Sequence, residues 1–297
     1  MADQLKTYRG NCHCGAYVYE VKAAENPKVG ECNCSSCYKK GVLWLSYKKQ
    51  DFNFVKGDAS TLTDYTFGKR TFHHKFCPNC GNHLLVDGYM EPKEPGETKV
   101  SITAVNARTI QHGQGLDVWK VEKHFINGKS FGTPYEPAKY TGPEPKGVVE
   151  GGQLYTGSCH CGAVKVAFNS KPLNKATTEK CTECNCSICN RQGSVWVYPK
   201  IEEAEIEGEE NLQTYLFNSK MFGKTFCKTC GIPVHNSVQP ITEEQIDQLP
   251  EEHRGFIRGA MKIKAINVRL IDSLDVKDLN VNQFDGYSTI KPSYVEP

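Results

Sequence analysis

The chain has 297 residues, 38% hydrophobic and 10% aromatic, a length that suits two domains of ordinary size with packed cores. Thirty-six Lys and Arg against 34 Asp and Glu leave a net charge of +2, which gives no electrostatic case for nucleic acid or an anionic membrane. The 15 cysteines are an odd number, which excludes complete intramolecular disulfide pairing.

The chain opens with Met1-Ala2-Asp3-Gln4-Leu5-Lys6, which lacks the apolar core of a signal peptide. The motif Tyr8-Arg9-Gly10-Asn11-Cys12-His13-Cys14-Gly15-Ala16 follows, then an alternating, β-branched and aromatic run, Tyr17–Val21, that reads as a strand. Next come Glu31-Cys32-Asn33-Cys34-Ser35-Ser36-Cys37, a strand pattern at Leu43–Tyr47 containing Trp44, and Phe76-Cys77-Pro78-Asn79-Cys80-Gly81. Leu84–Val86 and Val100–Val105 read as further strands, separated by a Pro-rich loop, Glu91-Pro92-Lys93-Glu94-Pro95. Val105-Asn106-Ala107-Arg108 closes the series. The same order then recurs: Tyr155 to Ala163 with Cys159, His160 and Cys161; the strand Val164–Phe168; Glu183 to Cys189 with Cys184, Cys186 and Cys189; the run Val195–Tyr198 containing Trp196; Phe226-Cys227-Lys228-Thr229-Cys230-Gly231; and Ile266-Asn267-Val268-Arg269. Such self-similarity marks a duplicated domain. The expected boundaries are 5–132 for the first copy, a Pro- and Gly-rich linker over 133–152, and 153–297 for the second. One helix is expected, near Thr242–Leu249, where Thr242 and Gln245 have capping-box spacing.

No run reaches the length of a membrane span, and the ending Tyr294-Val295-Glu296-Pro297 is neither a retention signal nor a prenylation box. A reduced, cytoplasmic chain is therefore expected, in which clustered cysteines bind metal or carry thiol chemistry. Each copy repeats seven cysteines, which divide as four and three. A C-x-C pair and a distant C-x-x-C-G turn can close a tetrahedron of thiolates. That pairs Cys12 and Cys14 with Cys77 and Cys80, and Cys159 and Cys161 with Cys227 and Cys230. The remaining triplets are Cys32, Cys34, Cys37 and Cys184, Cys186, Cys189. Three ligands in six residues fit one ion with its fourth position open to water or substrate, the pattern of a catalytic zinc. The alternative is a second structural site closed by another side chain. Cys181 is either that closing ligand in the second copy or a small buried side chain.

Taken in order, G-x-C-H-C-G-A, E-C-N-C-S-x-C and F-C-x-x-C-G resemble the Gfa family, the glutathione-dependent formaldehyde-activating enzymes, which share their domain with centromere protein V. The resemblance covers nearly the whole chain, once per copy. It implies a mainly β fold of two tandem zinc-bound domains of coiled antiparallel sheets, with two zinc ions per domain and four per chain. It implies a structural zinc at each outer quartet and a catalytic zinc at each triplet. The implied reaction joins formaldehyde to glutathione, as co-substrate, to give S-hydroxymethylglutathione, a carbon–sulfur lyase run in reverse. The expected partners are thus a small-molecule thiol and aldehyde, with no nucleic acid and no membrane. A non-catalytic zinc scaffold that binds another protein is the competing reading. The basic tail of centromere-type members is missing, which argues against a chromatin role.

Other side chains invite functional readings. Lys39, Lys40 and Arg191 follow the triplets and read either as solvated surface charge or as partners for a peptide's carboxylates. His13 and His160 lie between metal ligands on alternating backbone, which points them away. His73 and His74 read as exposed side chains beside the C-x-x-C turn. Trp44 and Trp196 read as core.

Overall fold

A computed structural model describes residues 5–92, 94 and 98–297. Met1–Gln4 of the expected leaderless start, and Lys93 and Pro95 of the expected Pro-rich loop, lie outside the described residues. The chain divides into two compact units: one of Met1–Tyr135, Asn185–Gly193 and Asp285–Pro297, the other of Glu136–Cys184 and Ser194–Phe284.

The first copy runs β1 (Leu5–Asn11), β2 (Val18–Ala24), β3 (Val29–Cys32), α1 (Ser35–Lys40), β4 (Trp44–Ser46), β5 (Phe52–Lys56), β6 (Thr63–Tyr65), β7 (Phe72–Phe76), β8 (His83–Met90), β9 (Val100–Asn106) and β10 (Lys123–Ile126). The second runs β11 (Gln153–Ser158), β12 (Lys165–Ser170), β13 (Cys181–Cys184), α2 (Ser187–Gln192), β14 (Val195–Val197), β15 (Ala204–Glu207), β16 (Leu212–Leu216), β17 (Phe222–Cys227), β18 (Pro233–Val238), α3 (Glu243–Asp247), α4 (Glu251–Ala260), β19 (Ile266–Asn267), β20 (Val281–Phe284) and α5 (Gly286–Thr289). Each copy folds into a three-stranded and a seven-stranded sheet of the same connectivity. The orders are β1-β2-β5 and β10-β3-β4-β9-β8-β7-β6 in the first, β11-β12-β15 and β16-β17-β18-β19-β14-β13-β20 in the second. All neighbours are antiparallel except β3 with β10 and β13 with β20. Those parallel pairs join segments about a hundred residues apart, a long-range closure that no local pattern announces.

The strands form where the residues alternate between core and solvent. Tyr8, Tyr19, Val21, Leu84, Val105 and Phe76 fill the first core, and Val166, Phe168, Trp196, Ile232, Val234 and Ile266 the second. The recurring Asn106 and Asn267 have a structural reason. Asn106 Oδ1 accepts from Leu43 N at 3.3 Å and from Arg108 N at 3.3 Å, and its Nδ2 donates to His83 O at 3.0 Å. Asn267 repeats the three bonds with Val195, Arg269 and Pro233. Each amide thus stitches three backbone segments where a strand ends.

The expected helix is α3, with both hydrogen bonds of the Thr242–Gln245 capping box present. α4 follows it, and α1 and α2 each begin within a cysteine triplet and contain its last cysteine; none of these was expected from the sequence. No helix among the described residues is long and apolar enough to cross a membrane.

Candidate metal centres

Two tight turns build each quartet. In the first copy, Cys12 N donates to Tyr17 O at 3.1 Å beyond β1, and Cys77 N donates to Asn82 O at 2.9 Å between β7 and β8. In the second, Cys159 N donates to Val164 O at 2.8 Å and Cys227 N to Ile232 O at 3.0 Å. The C-x-x-C turns close on Gly81 and Gly231, whose φ of 70° and 69° lies where a side chain is strained. Cys12, Cys14, Cys77 and Cys80 come together with all sulfurs within 4.8 Å of one another, and so do Cys159, Cys161, Cys227 and Cys230. Neighbouring sulfurs stand 3.5 Å apart in the Cys12–Cys14, Cys159–Cys161 and Cys161–Cys227 pairs and 3.6 Å apart in Cys14–Cys77. A tetrahedron of Zn–S bonds of about 2.3 Å has edges of about 3.8 Å, so the spacing suits such an ion. The backbone N–H groups of Tyr17 and Val164 reach Cys12 Sγ and Cys159 Sγ, each at 3.3 Å.

The triplets also gather: Cys32, Cys34 and Cys37 form one group, and Cys184, Cys186 and Cys189 another, each within 4.8 Å. In the first, Cys32 ends β3, Cys34 is the N-cap of α1, and Cys37 lies in the helix's first turn. Cys34 Sγ accepts from Cys37 N at 3.4 Å in the place an Asp or Ser cap would take. Trp44 is core, and its Nε1 donates to Cys37 Sγ at 3.2 Å. The three thiols cannot all ionise in isolation. The hydrogen bonds of Cys32 and Cys37 hold Cys34 well below the usual thiol range, while Cys32 is pushed up to about 11, first by its bond with Cys34. Cys37 rises further, through bonds to Cys32 and Cys34 and then burial. A divalent cation relieves that repulsion, so the donor set fits a metal. Cys181 is buried in β13, its thiol pushed up to about 12 by burial, and it does not join the second triplet's group. Among the described residues, no fourth Cys, His, Asp or Glu completes either triplet group.

A third segment closes on each triplet, and sequence reading missed it. The turn Asn127-Gly128-Lys129-Ser130 follows β10, and Gly128 packs so close to Cys32 Sγ and Cys34 that any Cβ there would collide. Asn33, the residue inside Cys32-Asn33-Cys34, clamps this turn: its Nδ2 donates to Asn127 Oδ1 at 3.0 Å and its Oδ1 accepts from Lys129 N at 2.9 Å. Asn185 repeats both bonds with Asp285 Oδ1 and Tyr287 N, each at 2.9 Å. The signal was present, since Asn127-Gly128-Lys129-Ser130 and Asp285-Gly286-Tyr287-Ser288 are a fifth recurrence between the copies.

Four side-chain readings change. Lys39, Lys40 and Arg191 are not solvated surface charge: each is 1% exposed. The helices that begin within the triplets pack these residues inward, where the sequence showed only a short polar run. Arg191 donates to Asn11 O at 3.0 Å and pairs with Glu296 at 2.6 Å. His74 is buried rather than exposed, because β7 lies inside its sheet and the imidazole stacks on Phe67. His73 is half-exposed and pairs with Asp64 at 2.7 Å. His13 and His160 are buried and stand outside the sulfur groups; His13 stacks on Tyr294 with ring centroids 4.6 Å apart. A cleft of about 350 Å³, lined by Ile110, His112, Leu116, Asp117, Asn185 and Asn190 among others, adjoins the loop of the second triplet.

Fold and site define a duplicated, mainly β protein with two thiol clusters per copy, each able to hold a metal ion. The sequence profile of the family described as glutathione-dependent formaldehyde-activating enzyme matches residues 7–120 and again residues 154–248. The chain belongs to this family, in two tandem copies. Among solved structures it is similar to the crystal structure of a Rhodobacter sphaeroides protein, with 24% identity and a TM-score of 0.32 over 43% of this chain and 98% of that one.

Proposed function

We propose that the chain is a zinc-dependent enzyme that joins a small aldehyde to a thiol, formaldehyde to glutathione in the family's named chemistry, to give the S-hydroxymethyl adduct in the reducing cytoplasm. Each copy, over 5–132 and 153–297, holds one structural zinc at its quartet and one zinc with an open position at its triplet. The observation that carries this reading is the pair of three-sulfur groups, the first fixed by backbone and turn and the second flanked by the turn that Asn185 clamps.

Zinc at a triplet supplies a site where an incoming thiol is held ionised; a free thiol with pKa near 8.5 is only about 3% thiolate at pH 7. Three thiolates and Zn²⁺ sum to −1, which suits this role better than making hydroxide. The chain's own residues do the rest. Cys32, Cys34 and Cys37, and Cys184, Cys186 and Cys189, hold the ion, while Asn33 and Asn185 fix the turns that wall the centres. In the reaction the thiolate sulfur forms a bond to the carbonyl carbon, the C=O electron pair moves to oxygen, and that oxygen takes a proton from solvent. Holding the two reactants together lowers the barrier mainly through orientation. The cleft beside Asn185 and Asn190 gives a small thiol room at the second centre.

Cobalt substitution followed by glutathione titration tests this. The expected result is four metals per chain, two of them readily exchangeable, and a sulfur-to-cobalt absorption change on adding glutathione. That change should vanish when Cys32→Ser and Cys184→Ser are combined. Four equally inexchangeable metals with no spectral response would leave the scaffold reading instead.

A further inference from the structure

The two copies differ in where they place one lysine, Lys40 being buried and Lys224 half-buried. Aligned on their cysteines, α1 ends Cys37-Tyr38-Lys39-Lys40-Gly41 and α2 ends Cys189-Asn190-Arg191-Gln192-Gly193, so Lys40 matches Gln192. On the neighbouring sheet His74 pairs with Tyr65 across β6 and β7, and Lys224 pairs with Tyr215 across β16 and β17, so His74 matches Lys224. The lysine therefore moves: helix Lys with strand His in the first copy, helix Gln with strand Lys in the second.

Both slots of the first copy border Tyr65. Lys40 Nζ lies 5.9 Å from the Tyr65 ring, and Tyr65 is the cross-strand neighbour of His74. The His74 ring is 6.2 Å from Trp44, whose Nε1 donates to Cys37 Sγ. In the second copy the ammonium of Lys224 sits 4.5 Å over the ring of Trp196, the counterpart of Trp44, and donates to Asn236 Oδ1 at 2.8 Å. Trp196 is thus approached by Lys224 and Trp44 by His74, with Lys40 over the adjoining Tyr65 ring.

We infer that Lys40 and Lys224 are equivalent counter-charges, one per triplet, that offset the negative charge of a three-thiolate metal centre and of the anionic sulfur it receives. This rests on the reading of the triplets as open metal centres. A trithiolate zinc carries −1, and −2 once a thiolate binds, and the burial of Cys37 and Cys189 weakens the screening of that charge by water. A lysine that is 1% exposed keeps its charge only beside negative charge, so centre and cation stabilise one another. Either slot serves because the requirement is for one positive charge, not for a particular hydrogen bond.

A charge-relocation swap in the full-length metal-loaded protein tests this, with Cys186→Ser silencing the second triplet. Two quantities are read at the first centre: glutathione affinity from the cobalt spectrum, and metal retention against a chelator. Lys40→Gln should weaken both by roughly tenfold to thirtyfold. Adding His74→Lys, which copies the second copy's arrangement, should restore both to within about threefold. In the other centre, with Cys34→Ser silencing the first, Lys224→His should weaken and Lys224→His with Gln192→Lys should restore. Circular dichroism and retention of quartet metal check that each variant is folded, and where one arm misfolds the other decides. Unchanged metal retention in Lys40→Gln and Lys224→His, or no recovery in the folded double variants, overturns the inference. A wild-type protein whose triplet metals ignore glutathione would sink the proposed function, while the chelator measurement would still judge the counter-charge.

Discussion

Single side chains in this protein are set by what burial does to charge. Lys40, Arg191 and His74 look like surface polar residues in sequence, yet the fold places all three inside. His235 is a further case: burial pulls its pKa down to about 4 from 6.5, with a bond to Asn236 O working the other way. The neutral imidazole is therefore the folded form. Above pH 6.5 folded and unfolded chains bind the same number of protons there. As pH falls from 6.5 to 4 the unfolded chain takes up a proton the folded one refuses, so stability is lost across that window. The shift corresponds to about 3 kcal/mol at its limit. His235→Gln should flatten the acid limb of a urea-denaturation series between pH 6.5 and 4, relative to wild type. An unchanged slope would show that His235 is not the titrating group.

At the scale of elements, the quartets tie distant turns together. Cys12 and Cys14 stand between β1 and β2, and Cys77 and Cys80 between β7 and β8, so an ion held there would pin the small sheet to the hairpin of the large one. Structural zinc contributes roughly 10–16 kcal/mol in small domains, comparable to a whole domain's stability of about 5–15 kcal/mol. Cys77→Ser should accordingly abolish cooperative unfolding of the first unit and release one tightly held metal, as read by calorimetry with metal analysis. A sharp transition at the wild-type temperature would remove the quartet's structural role. The turns themselves are legible in sequence because C-x-x-C-G fixes them locally. The triplet helices are not, since six residues are too few to show a 3.6-residue period and their cap is a cysteine rather than an Asp or Ser.

Across the whole molecule, chain order and compact unit do not coincide. The first unit includes α2 and the last thirteen residues along with the first copy. Within it Arg191, with no exposed side-chain surface, pairs with Glu296 and stacks on Tyr294, whose hydroxyl donates to His13 O at 2.7 Å. Glu296→Ala leaves that guanidinium buried without its carboxylate. Breaking such a pair costs about 3–5 kcal/mol when both groups are buried, and about 2 kcal/mol is expected here because Glu296 keeps partial exposure. Chemical denaturation followed by tryptophan fluorescence checks this, and a change below about 0.5 kcal/mol would show the tail to be dispensable. Sequence alone determined the duplication, the division of seven cysteines into four and three, the family resemblance and most strands, because each is written in spacing or in period-2 alternation. Tertiary structure decided the parallel strands β10 and β20, the Gly128 turn against the first triplet, and the burial of Lys40, Arg191 and His74. Most of those depend on segments from tens to nearly two hundred residues apart meeting in space, and local chemistry carries no record of what it will be packed against.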